Sequence, residues 1–178
     1  MSTPTQKHPA RRLTLCAMLA AVLCALSPIV LPIGPIPISL GLLGVLLAAV
    51  FLPPSTAIAS VAIFLALGAC GIPVFGGGIS GATVLVGPTG GYLWAYLLVC
   101  PLVSWLSGKA SRLWECFLAC LAGVALCYLC GTLQFILVTQ TPLQSAITLT
   151  VLPFLPFDIL KALLASYLGT KLKERIQI

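Results

Sequence analysis

Charge is what this chain most lacks. Its 178 residues include three acids and nine bases, 7% charged in all, against 60% hydrophobic residues and a mean hydropathy of +1.17. Soluble domains carry about 25% charged residues, so that class is excluded. Between Leu13 and Gly108 there is no Asp, Glu, Lys or Arg. One membrane-spanning helix needs about 20 apolar residues, so this stretch alone holds about four crossings. Ten-residue segments of alternating polarity, the mark of a transmembrane barrel, are also missing, which leaves helices. The only histidine, His8, precedes the apolar part of the chain. Cys116/Cys120 and Cys127/Cys130 have metal-like spacing but no histidine near them, and no metal site is expected. Together with Cys16, Cys24 and Cys100 they lie in apolar helical stretches, where a thiol behaves as a small hydrophobe. No P-loop is present, so the chain hydrolyses no ATP of its own.

What is present is punctuation by proline and glycine. A polar, basic segment covers residues 1–12, and the apolar run that follows reads as a first helix over 13–33 rather than as a cleaved signal peptide, because more membrane sequence succeeds it. Ala17, Ala21 and Ala25 give that helix a flat stripe that suits close approach of another helix, either within the bundle or on a partner. The turn Leu31 to Pro37 ends it, since repeated prolines remove amide donors. Further helices are predicted over 39–52, 55–70, 88–106, 113–138 and 149–172, with a polar loop over 139–148. Neither an internal repeat nor a domain boundary is visible, which predicts one all-α, six-helix membrane domain over 1–178. Residues 71–91 hold eight of the 16 glycines. Irregular backbone at membrane depth is tolerated only against protein or a cavity, so this loop is expected to form a lid or cavity wall.

The basic residues are topology signals rather than a nucleic-acid surface. With six crossings, Lys7, Arg11, Arg12, Lys109, Arg112, Lys171, Lys173 and Arg175 fall on one side and none on the other. Both termini are therefore predicted to be cytoplasmic. The remaining base, Lys161, lies inside the last helix three residues from Asp158, the only aspartate. Ionisable groups inside a span mark ligand, ion or proton sites by default. At about 1.5 Å per residue Asp158 lies roughly 20 Å from Lys171, in the outer third of the membrane, at the level of Tyr92, Tyr96 and the glycine loop. One helical face presents both charges. The carboxylate suits N–H donors, the ammonium suits an acceptor or anion, and the amides of Gly87 to Gly91 at a helix start suit a carboxylate. Close helix packing is the competing reading for Gly90 and Gly91. Phe75, Tyr92 and Tyr96 offer an apolar slot, while Trp94 reads as an interfacial anchor. The implied ligand is small, apolar in the middle and polar at its ends.

Three blocks carry a resemblance: Gly71 to Gly78 (GIPVFGGG), Gly87 to Leu93 (GPTGGYL), and Pro156 to Lys161 (PFDILK). With them the chain resembles the BioY family, the biotin-specific S components of energy-coupling factor (ECF) transporters. The resemblance implies a substrate-binding subunit of a bacterial plasma or inner membrane that captures biotin from outside with high affinity. It implies ligand contacts at Asp158 and Lys161, with Tyr92, Thr89, Gly90, Gly91, Phe75, Gly77, Gly78 and Ser39 around them. It also makes the Ala17/Ala21/Ala25 face a docking surface for the transmembrane coupling subunit, whose ATP-binding-cassette partners would supply ATP hydrolysis; no cofactor is implied. The sequence departs from the family at Ser39 Leu40 Gly41, where members often read Thr Leu Gln, and in a glycine loop without charge. A proton-coupled carrier using Asp158, or an S component for another vitamin, are the alternatives. An intramembrane enzyme fits poorly, with no histidine in the bundle and no second buried acid.

Overall fold

The computed structural model describes residues 9–32, 37–110 and 112–176, with side chains between Ala10 and Lys171 of these. Lys7, His8, residues 33–36 of the proline-rich turn and the side chains of Lys173 and Arg175 lie outside the described residues.

Eight α-helices are present among the described residues: α1 (Pro9–Leu26), α2 (Gly41–Phe51), α3 (Pro54–Ala69), α4 (Ala82–Val86), α5 (Gly90–Lys109), α6 (Leu113–Thr139), α7 (Leu143–Thr150) and α8 (Leu155–Ile176). α5 and α6 are each long and apolar enough to cross a membrane, and α7 with α8 meets the same test as a pair bent by 51°. The first helix ends seven residues earlier than predicted, at Leu26 rather than Ile33. Pro28 follows, and the chain turns into a small hairpin, β1 (Val30–Leu31) paired antiparallel with β2 (Ile38–Ser39). The predicted glycine loop is less irregular than its composition: it holds a 3₁₀ turn at Gly76–Gly78 and the short α4. The polar loop expected over 139–148 is mostly α7, whose Ala146 and Thr150 are buried while Leu143 and Ile147 are exposed. Polar residues at every second or third position had masked that helix.

α2 is the axis of the bundle. Nine of its 11 residues are buried, including Val45, Leu46, Ala48 and Ala49 at 0% exposure. A helix that is apolar on all sides is stable only when enclosed, and here α1, α3, α5 and α8 enclose it. Glycines permit the closest approaches. Gly44 lies against Leu23 of α1, Gly123 of α6 against Val99 and Val103 of α5, and Gly169 of α8 against Val50 of α2. Ser104 of α5 donates to the Leu52 carbonyl at 2.5 Å, satisfying the turn before Pro53 and Pro54, where α2 can no longer continue.

The bundle has two chemically different ends. Cys16 of α1 reaches the Thr56 carbonyl, and Ser104 reaches Leu52, so Arg11, Arg12, Lys109 and Lys171 gather at the end of the α2–α3 turn. The hairpin, the glycine-rich segment and the start of α8 occupy the opposite end.

Candidate functional site

The opposite end holds a cavity of ≈ 210 Å³. A single water needs about 10–15 Å³ on this measure, so the space suits a small organic molecule. Eight segments wall it: the turn after α1, the hairpin, the start of α2, the 3₁₀ turn, α4, α5, α6 and the start of α8.

Local sequence explains how a carboxylate comes to be there. Pro153 interrupts the backbone hydrogen bonding between α7 and α8, and α8 restarts at Leu155, so Asp158 falls in its first turn. The sequence predicts it well inside a longer helix, over 149–172. At a helix start the dipole and the unpaired amides favour negative charge, which lowers the cost of an ionised acid. Asp158 is 3% exposed and Lys161 6%. Asp158 Oδ1 accepts from Lys161 Nζ at 2.7 Å, and Oδ2 accepts from the Tyr128 hydroxyl at 2.7 Å. Lys161 Nζ also donates to the Ser39 carbonyl at 2.8 Å. Four residues from three distant parts of the sequence thus form one polar chain, Tyr128 to Asp158 to Lys161 to Ser39. The ammonium has a third proton and the carboxylate has further lone pairs, so donor and acceptor capacity remain for a ligand in the cavity.

Ser39 takes part through its backbone. Its hydroxyl is engaged elsewhere, donating to the Ser27 carbonyl at 2.7 Å and accepting from the Gly41 amide at 2.9 Å. The departure at Gly41 has a steric counterpart here, since a Cβ at that position would lie 2.9 Å from the Ser27 hydroxyl.

Phe75, Thr89, Tyr92 and Tyr96 line the apolar remainder. Phe75 is held by an edge-on contact with Phe64, ring centroids 5.5 Å apart, and its ring fills the space above Gly68 of α3. The Tyr92 hydroxyl donates to the Thr150 carbonyl at 3.1 Å, and the Thr132 and Thr150 hydroxyls meet at 3.0 Å. Gly77 and Gly78 are exposed at the cavity margin beside Phe75 and Gly76, and their φ values of 77° and 74° require glycine. Gly90 and Gly91 do not line the cavity. They are buried one layer behind it: Gly90 abuts the Leu85 carbonyl and Gln134, and Gly91 abuts the α6 backbone at Cys130 and Gly131. The Gly90 amide donates to the Gly87 carbonyl.

Two side chains fasten the glycine-rich segment to the bundle with three hydrogen bonds. Gln134 Nε2 donates to the Leu85 and Gly87 carbonyls at 3.0 and 2.8 Å, and the Trp94 indole donates to Leu85 at 3.1 Å. Trp94 remains 47% exposed, so it has both an outward face and a bond back to α4. Tyr128 and Gln134 were not singled out in the sequence. A tyrosine or glutamine in an apolar helix carries no periodic signal, and their partners lie 30 to 49 residues away. Ala17, Ala21 and Ala25 lie on the exposed side of α1, opposite buried Cys16, Leu19, Ala20 and Leu23. Helix packing inside this chain does not use them. Among the described residues no cluster of His, Cys, Asp or Glu is arranged to hold a metal.

Known proteins share this architecture. A sequence model of the BioY family matches residues 1–178. Biotin transporter BioY2 of Lactococcus lactis subsp. cremoris (strain MG1363) is 39% identical over 161 residues, covering 90% of this chain and 88% of that protein. Biotin transporter BioY of Thermotoga maritima is 31% identical, covering 92% of this chain and 96% of its own. A crystal structure of the S-component for biotin from an ECF-type ABC transporter superposes with a TM-score of 0.86 at 28% identity, covering 97% of this chain and 95% of that one.

Proposed function

The chain belongs to the BioY family, and from that premise we propose that it is the biotin-binding S component of an ATP-driven ECF importer. Family membership makes it a multi-pass membrane transport protein rather than an enzyme. The observation that carries the ligand reading is the buried Asp158–Lys161 pair, with capacity to spare, on the wall of a cavity sized for a small molecule. Biotin matches that wall chemically. Its ureido ring offers two N–H donors to Asp158, and its ureido carbonyl and valerate carboxylate offer acceptors to Lys161 and Thr89. Its ring system and chain suit Phe75, Tyr92 and Tyr96. The turn at Gly76–Gly78 and α4 form the cover.

The chain is read as one domain with six spans, formed by α1, α2, α3, α5, α6 and the bent α7–α8 pair. Both termini face the cytoplasm of a bacterial cell, and the cavity faces outward. Segregation of Arg11, Arg12, Lys109, Arg112 and Lys171 away from the cavity supports that orientation. The exposed alanine stripe of α1 is the docking face for the coupling subunit, which links the chain to the ABC ATPases.

Equilibrium binding of labelled biotin to the purified protein tests the reading. Tight binding displaced by unlabelled biotin, and not by thiamine or riboflavin, is expected. Displacement by another vitamin instead of biotin would assign a different substrate. Uptake that tracks the proton gradient and ignores ATP depletion would replace the importer by a carrier.

Two further outcomes follow from the geometry. Tyr128→Phe removes the hydrogen bond that orients Asp158 Oδ2, and loss of one ureido N–H bond to the turned carboxylate, about 1.5–3 kcal/mol, should weaken biotin binding roughly tenfold or more. An unchanged affinity would take Tyr128 out of the site. Ala21→Leu alters an exposed position and should leave biotin affinity within about twofold. It should abolish co-purification with the coupling subunit; retained co-purification would move that interface off α1.

A further inference from the structure

A second concavity lies on the outside of the bundle, between the start of α6 and the middle of α8. Leu113, Leu160, Leu163, Leu164 and Tyr167 line it, and it measures ≈ 300 Å³. All five side chains are exposed, and the lining is almost wholly hydrocarbon. From Leu160 to Tyr167 the groove follows α8 for roughly 10 Å at about 1.5 Å per residue, the length of eight or so methylene groups.

The groove leads toward the basic end. Tyr128 of α6 meets Asp158 of α8, and α6 runs back from there to Leu113 while α8 runs on to Lys171, so the two helices are antiparallel. At the groove's end Lys171 Nζ stands 4.7 Å from the centre of the Tyr167 ring, and Arg112 immediately precedes Leu113. Lys109, the last residue of α5, stands over the Trp105 ring. Glu115 is the one acid nearby among the described side chains, and its carboxylate accepts from the Arg112 amide at 3.3 Å, capping α6; in the sequence Glu174 is outnumbered there by Lys171, Lys173 and Arg175. The end of the groove is therefore net positive.

An apolar slot parallel to the helices that ends in cations fits one class of molecule. We propose that this groove binds an anionic glycerophospholipid of the leaflet at the basic end, with an acyl chain along Leu163 and Leu164 and its phosphate near Lys171 and Arg112. The inference rests on reading the chain as membrane-spanning with its basic end at one surface, and is independent of the biotin assignment. Charge complementarity distinguishes this occupant from a second copy of the chain, whose own basic end would meet the same cations.

Native mass spectrometry of the detergent-purified protein tests this, with phosphatidylglycerol and phosphatidylcholine of equal chain length added at equal concentration. Wild type should retain phosphatidylglycerol in preference. A surface cation contributes about 1 kcal/mol toward anionic lipid, so Arg112→Gln and Lys171→Gln should each reduce the preference about fivefold. Leu164→Trp, which fills the groove, should reduce retention of both lipids. Labelled biotin binding by the same samples keeps the two readings apart, since all three variants should bind biotin as wild type does. Equal retention of the two lipids by wild type, retention by Leu164→Trp equal to wild type, or a dimer that excludes lipid would each overturn the assignment.

Discussion

Asp158→Asn is expected to abolish biotin binding while Lys161 is left buried with half of its coordination gone. Breaking a buried ion pair from one side costs about 3–5 kcal/mol of folding stability, and the affinity loss is a separate quantity: each ligand hydrogen bond to the carboxylate is worth about 1.5–3 kcal/mol, so losing two of them is some hundreds-fold or more. Lys161→Met should do the same from the other side, leaving the carboxylate with Tyr128 as its remaining side-chain partner. Stability and binding can be separated. Replacing both members of a buried pair is often neutral for folding, so Asp158→Asn combined with Lys161→Met should unfold later on heating than either single variant. That double variant should still bind no biotin. Isothermal titration and a melting curve on the four proteins decide the matter. Wild-type affinity in either single variant would move the ligand away from the pair, and a double variant less stable than both singles would mean the charges serve the fold.

Gly91→Ala should destabilise the bundle at the contact between α5 and α6. A Cβ there would lie 2.6 Å from the Cys130 carbonyl oxygen and 2.7 Å from Gln134 Cβ. One obstacle is backbone and cannot rotate away, so α5 and α6 must separate. Overpacking of this kind typically costs about 1–3 kcal/mol, occasionally more, or a fall in melting temperature of roughly 2–12 °C for a chain of this size. Biotin binding should fall with it, because Tyr92 packs on Gly131 and Gln134 holds the cover segment from the same helix contact. Gly108→Ala on the same helix is the control. Nothing lies within 4 Å of its Cβ position, so the gain in helix propensity, about 1 kcal/mol, should leave the protein as stable or more so. Equal melting temperatures for the two variants would remove the close contact between α5 and α6 from the stability of the fold.

Close helix packing surrounds Gly90 and Gly91 in the structure, one of the two readings that the sequence admitted for them. Sequence spacing places a glycine at a helix start in either case. Only the position of α6, some 40 residues further along, separates them. The same holds for the alanine stripe: a flat face is visible in the spacing of Ala17, Ala21 and Ala25, but which side of α1 turns inward depends on where α2 and α3 lie.

The sequence by itself determined the membrane class, the helical architecture and the charged pair. Each of these follows from a local scarcity, since one aspartate and one lysine inside apolar helices stand out without any neighbour being known. The resemblance carried by GIPVFGGG, GPTGGYL and PFDILK pointed to the family. Tertiary structure decided what the pair touches. Tyr128 and the Ser39 carbonyl reach it from α6 and the hairpin, and a backbone carbonyl or a lone tyrosine leaves no trace in composition or period. Tertiary structure also decided where α8 begins. Pro153 and Pro156 were plain in the sequence, but a proline near a helix can kink it, start it or end it. Packing of α7 against α6 through Ala146, Thr150 and Thr132 selects the break, and the break puts Asp158 in a first turn, where its charge is best held.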